Sequence, residues 1–131
     1  MNQNIPTSPG SDRILSVSYD ATLLATRQML LEARGYAVVS ALGFMSAADY
    51  CRTGTCQLVI LGHSIPAEDK EELARIFRAH TSRRPILSLE LPGEERIDAD
   101  YYASVFEPEE FLAAVEVSLK PPQEGKEADA I

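Results

Sequence analysis

Apolar residues recur along the chain in two alternating rhythms. Ile14-Leu15-Ser16-Val17 is a short apolar run with the length of a strand. Leu23, Leu24, Arg27, Leu30 and Leu31 then fall at helical spacing, with Asp20 placed to cap the helix and Gly35 to end it. Tyr36-Ala37-Val38-Val39 predicts a second strand, and Phe44 to Arg52 a weaker helix stopped near Gly54. Leu58-Val59-Ile60-Leu61 is the cleanest strand, because an uninterrupted apolar run suits a parallel strand buried on both faces. Pro66 and Asp69 precede a helix carrying Leu73, Ile76 and Phe77. Ile86-Leu87-Ser88-Leu89 and roughly Tyr102 to Phe106 predict the last two strands. Pro108 opens a final helix with Phe111, Leu112, Val115 and Leu119 on one stripe.

Strands and helices in alternation predict βα units, a parallel sheet and helices on both faces. Function in such sheets collects at the carboxyl ends of the strands. Residues 1–12 are rich in Pro, Ser and Asn and read as a flexible lead, 13–120 as the domain, and 121–131 as a disordered tail.

Composition narrows the function classes. The chain has 131 residues and a net charge of −8. That charge repels phosphate backbones and anionic lipid, so neither nucleic acid nor membrane is an expected partner. Arg83-Arg84 is the one visible basic pair, and it reads as a solvated loop. No apolar run is long enough to span a bilayer, and the first residues do not resemble a signal peptide, so the expected location is the cytoplasm. Cys51 and Cys56 then read as reduced core thiols rather than half of a zinc site, with a local disulfide as the rival.

The run Leu58 to Leu61, followed by Ser64-Ile65-Pro66, Asp69 and Glu72-Leu73, resembles the receiver domain of bacterial response regulators. Leu23-Leu24, Gly35-Tyr36-Ala37-Val38, Pro85-Ile86-Leu87 and the Pro108 helix match that family in order and spacing over about residues 13–120. The resemblance implies a five-stranded α/β sheet of flavodoxin-like type, order 2-1-3-4-5. It also implies a site in which an acidic pair holds magnesium, an Asp is phosphorylated, and a hydroxyl and a Lys contact the phosphoryl oxygens.

Each of those positions departs from the family. The acidic pair falls on Ser18 and Tyr19, the acceptor Asp on Gly62, the hydroxyl on Glu90 and the Lys on Glu107. Glycine has no oxygen to attack phosphorus, and two glutamates repel a phosphoryl dianion. The expectation is a degenerate receiver, without catalytic activity or cofactor, acting by phosphorylation-independent contact with a signalling partner or with itself.

Asp20, His63, Glu90 and Glu107 are expected to gather in an acidic pocket at the strand ends, where a His63–Glu pair would raise the histidine pKa. The same residues make the rival reading, a metal or small-ligand sensor with His63, Glu90 and Glu107 as ligands. Phosphorylation at His63 or Ser64, and acid–base chemistry at His63 and Glu90, are weaker alternatives, and no common enzyme motif occurs. The interval from Glu90 to Glu107 is short for the family, so its fourth helix is expected to be shortened or absent. The peptide bond before Pro108 is expected to be cis, as the family's Lys-Pro bond often is.

Overall fold

A computed structural model of the chain describes residues 13–94, 96–105 and 107–120. The expected lead and tail, and Phe106 at the end of the expected fifth strand, lie outside the described residues. The elements are β1 (Arg13–Ser18), α1 (Ala21–Ala33), β2 (Ala37–Leu42), α2 (Phe44–Thr53), β3 (Leu58–Leu61), α3 (Ala67–His80), β4 (Ile86–Glu90), β5 (Tyr101–Ser104) and α4 (Pro108–Leu119).

All strand pairs are parallel, and the sheet order is β2-β1-β3-β4-β5. β3 lies at the centre with all four side chains buried, as its unbroken apolar run requires. Alternate residues feed two cores. Leu15, Val17, Val59 and Leu61 pack with Ala47, Cys51, Leu73 and Phe77 of α2 and α3. Ile14, Leu58, Ile60 and Leu87 pack with Leu31 of α1 and Phe111 and Val115 of α4. This is the two-faced burial that strand periodicity produces.

Asp20 caps α1, its side chain accepting from the Leu23 amide. Gly54 ends α2 with φ +68°, and a Cβ there would come 2.6 Å from the His80 carbonyl oxygen, so α2 and α3 close over a position only glycine fills. β2 runs three residues past the expected Val39, because Ser40, Ala41 and Leu42 pair with Ser16, Val17 and Ser18.

Among the described residues no helix joins β4 to β5. That segment is held by side chains instead. Tyr102 donates its hydroxyl to the Ile97 carbonyl and accepts from the Ala99 amide, and Ile97 is buried. No cis peptide bond is present among the described residues, so the Glu107–Pro108 bond is trans, contrary to expectation. Proline at the first position of α4 needs no amide partner and is accommodated with either isomer before it.

Candidate functional site

The carboxyl ends of β1, β3 and β4 converge around Ser18, Gly62 and Glu90. Ser18 is fully buried. Its Oγ lies 3.2 Å from Ser64 Oγ, accepts from the Asp20 amide at 3.0 Å and lies 3.1 Å from the Asp20 carbonyl. The Tyr19 amide donates to Ser64 Oγ at 2.9 Å. These hydroxyls satisfy one another and the local backbone, and they present no charge to a hard cation. Tyr19 turns away to α3, donating its phenol to Asp69 at 2.8 Å. Burial, then that bond to Asp69, holds its pKa above the ordinary tyrosine value.

Gly62 follows β3, with its amide donating to the Val17 carbonyl at 3.0 Å. A Cβ on Gly62 would lie 2.9 Å from both Arg27 Nη1 and the Val17 oxygen. Arg27 thus packs directly over the Gly62 Cα. It is only 7% exposed, and its Nη1 has no hydrogen-bond partner among the described residues. Desolvation lowers its pKa, opposed by the charge of Asp20.

His63 meets Arg27 rather than a glutamate: its Nδ1 lies 3.5 Å from Arg27 Nη2. The expected rise in its pKa is therefore corrected. Burial and the Arg27 charge lower it, Lys70 adds to the effect, and Glu94 and Asp20 oppose it. The guanidinium can only donate, so Nδ1 is the acceptor in this contact.

Lys70 is the second cation at this end of the sheet. It reaches inward from α3, 6% exposed, and its Nζ donates to Ser88 Oγ at 3.0 Å and to the Leu89 carbonyl at 2.9 Å. Desolvation lowers its pKa, against the charges of Glu90 and Glu94.

The four residues expected in one acidic pocket are dispersed. Asp20 is engaged as a helix cap. Glu90 accepts from Arg96 at 3.0 and 3.1 Å, and Arg96 stacks 3.9 Å above the Tyr102 ring. Glu107 is exposed at the start of α4 and lines a cavity of about 100 Å³ shared with Arg27 and Phe111. His63 lines a different opening with Ser64, Lys70 and Glu94. Among the described residues, no group of three or more His, Cys, Asp or Glu side chains is placed to share a metal ion. The buried charge at the strand ends is cationic, because the carboxylates are drawn to caps, to surface arginine and to solvent.

Sequence reasoning missed the roles of Arg27 and Lys70, although a signal existed. Both sit on the buried stripe of their helix, Arg27 between Leu24 and Leu31, Lys70 one turn before Leu73 and Ala74. A cation at such a position either snorkels or enters a polar site.

No protein-family model matches the sequence, and neither does any curated protein. Solved structures do match. A chain in the complex of histidine kinase ThkA with response regulator protein TrrA aligns with a TM-score of 0.70 and 25% identity, covering 83% of this chain and 99% of the matched one. Vibrio cholerae chemotaxis protein CheY4 aligns at 0.68 and 18% identity, over 84% of this chain and 100% of its own. The receiver domain of a sensor histidine kinase from Pseudomonas aeruginosa, which holds a magnesium ion in its active-site cleft, aligns at 0.71 and 16% identity, over 84% and 98%.

The chain has the receiver fold. Its five-stranded parallel sheet has the strand order of CheY-like receivers, with four helices around it among the described residues. Among the described residues, no helix is long and apolar enough to cross a membrane.

Proposed function

We propose that this protein is a receiver-like signalling module that works without aspartyl phosphorylation, by binding a protein partner or further copies of itself. One observation carries the proposal: Gly62 follows the central strand where the receiver resemblance calls for the acceptor aspartate, and the Arg27 guanidinium fills the space above it. A phosphoryl group needs an oxygen nucleophile there and a magnesium ion held by carboxylates. Ser18 is committed to the Ser64 hydroxyl and the Asp20 amide, Tyr19 to the Asp69 carboxylate, and Glu107, at the position of the family's lysine, bears the opposite charge.

Two buried cations substitute for the charges that metal and phosphate would bring and remove. Arg27 and Lys70 are fixed parts of the fold, so the strand-end electrostatics do not switch with phosphorylation. Signalling then depends on surface contact. One structure of similar fold is a complex of a response regulator with a histidine kinase, which makes a kinase-class partner the first to test. A cytoplasmic location suits that role.

The test is a ¹H–¹⁵N correlation spectrum recorded with magnesium and beryllofluoride, which mimics an aspartyl phosphate. No saturable shift at Gly62, His63 or Glu90 is expected. Saturable shifts at those amides would overturn the reading.

A further inference from the structure

The sheet's other end holds a cleft of about 650 Å³, formed where α3 and α4 finish and β4 and β5 begin. Arg78, Arg83, Arg84 and Lys120 line it, together with Asp100 and Tyr101. This concentration is unusual for a chain of net charge −8. Arg52, Arg75 and Arg96 are engaged in surface ion pairs. Arg27 and Lys70 are buried at the opposite strand ends. Of the remaining described cations, only Arg13 and Arg34 lie outside this cleft.

From these observations we infer that the cleft is a binding site for a phosphate-bearing small molecule of nucleotide size. Helix-dipole compensation does not account for the charge. The ends of α3 and α4 contribute about half a negative charge each. Asp100 adds one carboxylate, already accepting from the Ile86 amide at 2.8 Å. A positive surplus remains, and Arg83, Arg84 and Lys120 make no ion pair among the described residues. Arginine forks match phosphate oxygens in pairs, and Tyr101 supplies an aromatic wall.

The backbone adds an independent argument. Arg83 adopts φ +61°, the only described non-glycine residue with positive φ. That conformation is unfavourable for a side-chain-bearing residue, and such strain gathers where a chain must present groups to a ligand. Here it sets two adjacent arginines on the cleft. The volume lies in the range of small-molecule sites, about 300–1,000 Å³. A nucleic acid strand would have to continue past the cleft over a chain of net charge −8, whereas a compact ligand would not.

Isothermal titration of the whole chain with ADP, adenosine, an oligodeoxynucleotide and an oligoglutamate peptide tests the inference. ADP is expected to bind saturably, and adenosine not to bind. Arg83→Gly, which relieves the backbone strain while removing one cation, and Arg84→Ala are each expected to weaken ADP binding by about tenfold, the loss of one charge-assisted contact. Absence of saturable ADP binding up to about 1 mM would overturn the site, since that corresponds to only about 4 kcal/mol of affinity. So would unchanged binding in both variants, or tighter binding of the oligonucleotide or the acidic peptide than of ADP.

Discussion

Arg27 and Gly62 are packed so closely that a Cβ on Gly62 would stand 2.9 Å from Arg27 Nη1. The glycine and the arginine are complementary: one removes a side chain, and the other fills the volume. Arg27 can move its flexible end, but the Val17 carbonyl, at the same 2.9 Å from that Cβ, belongs to β1 and cannot. Gly62→Ala is expected to destabilise the fold by about 1–3 kcal/mol through overpacking. Gly62→Asp meets the same crowding but pairs with the guanidinium, so it should melt between wild type and Gly62→Ala. Thermal melts of the three proteins check the order.

Arg27 and Lys70 are both buried cations with opposite expected responses to removal. Nη1 of Arg27 has no partner among the described residues, so the charge is a cost to the folded state. Arg27→Met should leave stability unchanged or raise it by about 1 kcal/mol. Lys70 donates to Ser88 Oγ and the Leu89 carbonyl, and Lys70→Met strands both acceptors. A loss of about 1–3 kcal/mol is expected. Urea unfolding midpoints, compared at constant slope, separate the two outcomes.

Most of the fold was legible in the pattern of apolar residues. β3, the Asp20 cap and the start of α4 stand where periodicity and Pro108 put them, because each depends on local sequence. The site was legible only as a set of positions at the strand ends. Ser18, Gly62 and Glu90 do stand at the strand ends, yet the sequence does not show where long side chains go. Glu90 bends to Arg96, which lies on a loop with no counterpart in the pattern, and His63 meets Arg27 across the α1–β3 gap. Arg83 and Arg84 do lie on a loop, with Arg83 exposed, but the pattern gives no sign that Lys120, far along the chain, lines the same cleft.

Acid should weaken the fold through His63. Its folded pKa is lowered by burial and by Arg27. As pH falls below about 6.5, the unfolded histidine takes up a proton that the folded one resists, so stability falls with pH. The slope ends once pH is below the folded value. His63→Gln should flatten the melting-temperature profile between pH 5 and pH 7, within the range set by ordinary histidine. An unchanged profile in that variant would assign the acid sensitivity to other groups.

Cys51 and Cys56 are free and buried on the α2–α3 side of the sheet. Burial pushes the Cys51 thiol up to about 12 and raises Cys56 as well. Both should resist a thiol-reactive disulfide reagent in the folded protein and react fully in denaturant. Rapid reaction of either in the native state would mean that α2 opens more readily than its packing implies.

The central claim concerns phosphoryl chemistry, and intact-protein mass spectrometry after incubation with acetyl phosphate and magnesium tests it most directly. An unshifted mass is the expected result, in wild type and in Gly62→Asp alike, since a carboxylate beside Arg27 still lacks an acidic pair for the metal. A phosphoryl adduct on an aspartate of the wild-type chain would contradict it.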